Sequence, residues 1–171
     1  MTAPMTESRP LRAFARSLPM TLLRAREAVM SRFRPLLRAH GLSDQQWRVL
    51  RALDADGPQR ASDLSVATLL SGPSLSRLLP GLESRRLLRR RAHPEDQRAT
   101  RISITPEGSR LVATIAPASE AIYAEIAAAV GETSLETLYR LLDETTERIG
   151  PGSCPDVGAS APDAPRRRLR K

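Results

Sequence analysis

Apolar residues recur at helical spacing over residues 18–39, where Leu18, Leu22, Ala25, Val29, Phe33 and Leu36 share one side of a 3.6-residue turn. Pro19 suits the first turn of such a helix and Gly41 its C-terminal cap, while Pro35 is expected to bend it near the end. Ser43-Asp44-Gln45-Gln46 reads as a capping box, with the serine taking a free backbone N–H and the glutamine reaching back. It opens a second helix whose stripe is Trp47, Leu50 and Leu53 and which Gly57-Pro58 ends. Two short helices follow. The first, about 61–69, turns Leu64 and Leu69 inward; the second, 74–86, presents Leu75, Leu78, Leu79 and Leu82 after the turn Ser71-Gly72-Pro73. Two helices joined this tightly form a helix-turn-helix pattern.

The hydrophobic period then changes. Residues 87–91 and 100–104 are short strand-like runs, and in the second Ile102 and Ile104 alternate with polar residues. The turn-rich tip His93-Pro94-Glu95-Asp96-Gln97-Arg98 joins them into a β-hairpin with a basic loop. A hairpin directly after a helix-turn-helix makes a winged helix. Thr105 as N-cap and Pro106 at the first position open a helix to about Val130, with Leu111, Ile115, Ala118, Ile122 and Ile126 inward and a bend at Pro117. Thr133-Ser134-Leu135-Glu136 reads as a second capping box for a last helix, 134–149, carrying Leu135, Leu138, Leu141, Leu142 and Ile149. The predicted fold is mainly α with one small β-hairpin: a winged helix-turn-helix with long N- and C-terminal helices.

Composition narrows the chemistry. The 171 residues suit one domain, and 27 basic against 19 acidic residues leave +8. Every basic residue but Lys171 is arginine, the side chain that pairs bidentately with phosphates and base edges. The charge is concentrated. Over 74–101, eight arginines against Glu83, Glu95 and Asp96 leave +5. Residues 151–171, rich in Pro, Gly, Ala and Ser, end in Arg166-Arg167-Arg168-Leu169-Arg170-Lys171 and read as a disordered basic tail. The chain therefore divides into a flexible stretch 1–10, the winged domain 11–150 and the tail 151–171. The single Cys154 excludes an internal disulfide and a cysteine-based zinc site. His40 and His93 lie far apart, and no third cluster of ligand-type residues accompanies them, so no metal is expected. No Gly-rich phosphate loop and no Ser/His/acid set is visible, so neither enzyme nor cofactor is expected. No apolar run approaches the ~18 residues of a membrane span, and Arg9, Arg12 and Arg16 interrupt any leader, so the expected location is the cytoplasm.

These pieces resemble the MarR family of bacterial transcriptional regulators over roughly residues 10–149. The resemblance rests on Gly41-Leu42-Ser43, Gln46-Trp47-Arg48-Val49-Leu50, Pro73-Ser74-Leu75-Ser76-Arg77-Leu78-Leu79 and Leu82-Glu83. Its most specific part is Asp96-Gln97-Arg98 followed by Ile104-Thr105-Pro106-Glu107-Gly108. Residues 16–28, from Arg16-Ser17-Leu18-Pro19 to Arg24-Ala25-Arg26-Glu27-Ala28, resemble the subgroup that represses homoprotocatechuate and related aromatic-acid catabolic operons. The resemblance implies a homodimer interlocked through the terminal helices, bound to a pseudo-palindromic duplex with half-sites about one helical turn apart. Two departures stand out. Arg86 occupies a position where the family usually has glycine, and Pro80-Gly81 falls inside the recognition helix, where proline ordinarily costs ~3 kcal/mol.

On a winged helix, Ser74, Ser76 and Arg77 lie on the polar side of the recognition helix, and Arg77 can read guanine O6 and N7. Arg98 at the wing tip is expected in a narrow minor groove, with Asp96 orienting Arg98 or Arg90. Arg89, Arg90, Arg91 and Arg101 are expected at phosphates, although strand alternation can turn one of the first three inward. Arg26, between Leu22 and Met30 on an apolar stripe, is either an anchor for a ligand carboxylate or half of an internal ion pair. Trp47 and Met30 would sandwich a flat ring, and Arg16 and His40 are further candidates for the effector. The expected function is therefore a repressor released by a small aromatic carboxylate. The alternative is a ligand-independent architectural or counter-silencing DNA binder relying on its tail. A pocket between helices 18–39 and 43–54 and the domain junction would separate the two.

Overall fold

The computed structural model of the protein describes residues 13–92 and 100–150. A 3₁₀ turn at Phe14–Arg16 leads into α1 (Leu18–Ala39), α2 (Asp44–Asp56), β1 (Gln59–Arg60), α3 (Ala61–Thr68) and α4 (Gly72–Ser84). Then come β2 (Leu88–Ala92), β3 (Thr100–Ile104), α5 (Pro106–Val130) and α6 (Glu132–Ile149). The sheet is antiparallel in the order β1-β3-β2. Its third strand, β1, is two residues long, too short to leave any alternation in the sequence.

Local chemistry explains the element ends. The Ser43 box forms as expected: Ser43 Oγ accepts the Gln46 N–H and Gln46 Oε1 accepts the Ser43 N–H. Thr105 Oγ1 accepts the Gly108 N–H at the start of α5. At the end of α1, Gly41 adopts φ +65°, and the N–H groups of Gly41 and Leu42 reach the carbonyls of Arg38 and Leu37. Leu37 and Leu42 are both buried, which completes a Schellman cap. The same cap ends α4, but Arg86 stands at the left-handed position, with φ +58°. Its N–H reaches the Glu83 carbonyl, and the Leu87 N–H reaches that of Leu82. The arginine therefore carries the backbone strain that glycine would avoid. α4 runs on through Pro80 and starts earlier than expected, because Ser71, not Pro73, is the boundary: Ser71 Oγ caps the Ser74 N–H, and Gly72 and Pro73 form the first turn.

The core lies between α2, α3, α4, the sheet and the first half of α5. Leu50, Leu53, Leu64, Leu82, Ile102 and Ile115 are completely buried there. Several stripe positions need correcting. Leu69 is exposed, because the chain turns left-handed at it (φ +50°) and buries Thr68 and Leu70 instead. Ala118 faces out, and Val112 and Ser119 take the inward positions on α5. On α1 the buried side chains are Phe33 and Leu37, while Leu18, Leu22, Ala25 and Val29 are exposed. The second capping box does not form; α6 starts at Glu132 from Gly131, without a side-chain cap. α5 is also long and apolar enough, by length and composition alone, to cross a bilayer. Counting uninterrupted runs overlooks this because Glu120 and Glu125 break a helix otherwise filled with alanine.

Gly108 holds α5 against the wing. A Cβ there would lie 2.1 Å from the Leu87 carbonyl oxygen and 2.7 Å from Ile104 Cγ1. Two glycine exchanges of opposite sign are therefore expected. Gly108→Ala should destabilise the fold by about 3 kcal/mol, since backbone must move. Arg86→Gly should stabilise it by about 0.5–1 kcal/mol by relieving the left-handed strain. Urea unfolding of both variants checks the pair; a stable Gly108→Ala protein would contradict the close approach.

Candidate nucleic-acid interface

The sheet register sorts the arginines of the wing into two faces. Ile102 is buried, so its partners across both strands share the inward face: Gln59 on β1 and Arg90 on β2. Gln59 donates to the Ala52 carbonyl. Arg90 reaches Glu83 of α4, with Nε at 2.8 Å and Nη2 at 2.6 Å from Oε2, while its own backbone N–H is accepted by Glu83 Oε1. These charge-assisted bonds, chiefly those from the Arg90 side chain, hold the Glu83 carboxyl below its ordinary range. Arg89, Arg91 and Arg101 lie on the outward face and are exposed, and Arg89 Nε donates to Ser103 Oγ.

The recognition helix is anchored at both ends. At its start Ser74 is drawn into the cap, its Oγ accepting from Ser71 Oγ, so it is less free than Ser76 and Arg77, which are exposed. Arg77, Ser74 and Leu78 face Ser43, Gln45 and Gln46 of the α2 start across an open polar cleft. At its end Arg85 crosses to the cap of α1, donating from Nη1 to the Gly41 carbonyl (2.6 Å) and from Nη2 to that of His40 (3.0 Å). Thr105 Oγ1 donates to the Arg86 carbonyl and ties α5 to the same corner.

A second feature lies on the side of α2 away from α4. Trp47 and Arg51 of α2 face Ala116, Ser119, Glu120 and Tyr123 of α5 around a small cavity. The Arg51 guanidinium stands 5.9 Å from the centre of the Trp47 ring, within cation–π range. Tyr123 packs against Phe33 with ring centres 4.9 Å apart. Burial, with smaller contributions from Tyr139 and Glu120, raises the Tyr123 pKa, so its hydroxyl stays protonated as a donor. The space encloses about 50 Å³, well short of the roughly 150 Å³ that holds a benzene ring.

Residues 40–99 match the MarR family. The homoprotocatechuate degradative operon repressor of Escherichia coli is 37% identical over 128 residues, covering 75% of this chain and 86% of the relative. The regulator FarR of Neisseria gonorrhoeae is 34% identical over 128 residues, 75% of this chain and 88% of that protein. The solved structure of NadR in complex with 4-hydroxyphenylacetate superposes with a TM-score of 0.69 at 32% identity, covering 81% of this chain and 99% of that one. The chain belongs to the MarR family.

Within this MarR winged helix the expected residues fall into three groups. Ser76, Arg77, Arg89, Arg91 and Arg101 are exposed on the recognition helix and outer sheet face. Arg90 is corrected: it is the inward member of its trio and joins the wing to α4 through Glu83 rather than standing free for a phosphate. Arg98 and Asp96 lie outside the described residues.

The effector residues divide as well. Trp47 lines the cavity, but Arg26, Arg16, His40 and Met30 do not. The cavity opens between α2 and α5 rather than between α1 and α2. Arg26 points to the surface and pairs with Glu27 at 2.9 Å, so it is no unpaired cation on an apolar face. His40 serves α1 as its cap residue, and Met30 packs against the core. Arg51 and Tyr123 went unnoticed because each sits on the polar side of its own helix; only the packing of α2 on α5 brings them together.

The Glu83–Arg90 link predicts a measurable softening of the wing. Glu83→Gln should speed amide exchange in β2 a few-fold, as expected for about 0.5–1 kcal/mol from a partly exposed pair. Because folding lowers the Glu83 pKa, the link contributes above the ordinary glutamate range and is lost as pH falls through the depressed value. The thermal midpoints of wild type and Glu83→Gln should therefore converge in acid; a constant gap would contradict the assignment.

Proposed function

We propose that this protein is a dimeric, cytoplasmic repressor of an aromatic-compound catabolic operon, released from its DNA by a small aromatic carboxylate, with no catalytic activity of its own. The observation that carries this reading is the combination of a winged helix bearing outward arginines with the Trp47–Arg51–Tyr123 cavity. Arg51 supplies the cation for a carboxylate, Trp47 an aromatic face and Tyr123 a hydroxyl donor. The E. coli relative is named for repressing a homoprotocatechuate operon, and NadR is described in complex with 4-hydroxyphenylacetate.

The smallness of the cavity gives the mechanism. A ring enters only if α2 and α5 part or their side chains turn. The acid therefore binds an opened arrangement better than the closed one, and that difference limits how far it shifts the equilibrium. α2 also packs on α4, and α5 on α1 and α6, so opening at this junction moves the recognition helix relative to the long helices. On the pseudo-palindrome, two recognition helices must keep the half-site spacing, and a shift of either one costs affinity. A ligand-independent architectural protein would need no such cavity.

Calorimetry with 4-hydroxyphenylacetic acid and its neutral amide tests the assignment. Wild type should prefer the acid by about 1.5–3 kcal/mol, tenfold or more, as for a hydrogen bond between charged groups. Arg51→Ala should lose the preference and Arg26→Ala should keep it. Loss in Arg26→Ala alone would move the carboxylate to α1. Failure of every aromatic acid to bind would favour the ligand-independent reading.

A further inference from the structure

The outward face of the sheet carries a row of arginines that runs beyond the hairpin. β3 places Arg101 opposite Arg91 of β2 on one side and opposite Arg60 of β1 on the other. Directly opposed residues of antiparallel strands project to the same face, with Cβ atoms about 4.5–5.5 Å apart. Three guanidinium groups therefore stand side by side across about 10 Å, with Arg89 two residues further along the same face. All four side chains are exposed, and among the described residues none has a carboxylate within ion-pair distance. The inward face of the same strands is different: there the one arginine, Arg90, has its acid, Glu83.

Like charges directly opposed across a ladder are destabilising. Arg101 has such a neighbour on both sides, so the row weakens the isolated sheet. An anion spanning several positions offsets that repulsion, and a polyanion does so best because it supplies charges at successive spacings. A lone arginine at one position would make no such demand.

We propose that Arg60 extends the DNA interface: Arg60, Arg101 and Arg91 form a continuous phosphate-binding row that takes the DNA backbone alongside the wing. This rests on the DNA-binding reading of the winged helix. Arg60 lies outside the 74–101 charge cluster, and only the two-residue strand β1 folds it into register with the rest. A row along one face contacts backbone and reads no bases, so its contribution is the same for any duplex sequence.

The test is the salt dependence of binding, measured by fluorescence anisotropy on the chain's own upstream region and on an unrelated duplex. Arg60→Gln should lower the slope of log K against log salt by about 0.9, the value for one lost phosphate contact. It should weaken both duplexes by the same factor. Arg60→Lys should keep the slope, and Arg110→Gln, remote on α5 and paired with Glu107, should leave it unchanged. At low salt without DNA, Arg60→Gln should melt no lower than wild type, because a repulsion has been removed. A wild-type slope in Arg60→Gln, alongside a reduced slope in Arg101→Gln, would remove Arg60 from the interface. If wild type binds neither duplex, the winged-helix reading itself fails and the row with it.

Discussion

Long helices that a single chain leaves half uncovered are the constraint on which the rest of the structure depends. α1 exposes Leu18, Leu22 and Val29, and α6 has no buried residue at all, although Leu138, Leu141 and Ile149 lie along it. Between α1 and α5 a groove of about 300 Å³ is lined by Ala28, Val29, Ile126, Ala129 and Val130, with Arg32 and Glu125 at its edge. Water does not favour so much apolar surface on one side of a small domain. A second copy, presenting the same helices, covers it and completes the fold. The covering also sets the distance between two recognition helices, so the dimer is part of the DNA-reading device.

If the long helices set the spacing, something must hold the reading head to them. The corner at the end of α4 does this. Arg85 donates to the last carbonyls of α1, where a cation is favoured by the helix dipole, and Glu83 holds Arg90 of the wing. The Arg86 carbonyl takes the Thr105 hydroxyl, and Gly108 lets α5 lie directly on Leu87. One turn of chain thus contacts α1, the wing and α5. Movement between α2 and α5 at the effector cavity is passed on to a reading head that is tied at this corner rather than loose.

Much of this was legible in the sequence, for identifiable reasons. The Ser43 box, the Thr105-Pro106 start and the 2-residue period at Ile102 and Ile104 are local signals, and each forms where local chemistry places it. The anomaly at Arg86 was also readable, because only a few residues tolerate the left-handed position. What failed was non-local. Burial on α1 and α6 depends on a partner chain, so their stripes resemble core yet stand exposed. Arg26 sits in an apolar frame on the helical wheel, but Glu27 beside it takes its charge. Arg51, Tyr123 and Arg60 gain their meaning from packing and register across tens of residues, which no short motif encodes.

The most direct test of this account is the concentration dependence of unfolding of the full chain. If a second copy covers α1, α5 and α6, folding and association are one reaction. The urea midpoint should then rise steadily as protein concentration is raised a hundredfold, with a dimer mass in native buffer. A midpoint independent of concentration, together with a monomer mass, would show that one chain tolerates its exposed helices and would contradict the account at its base.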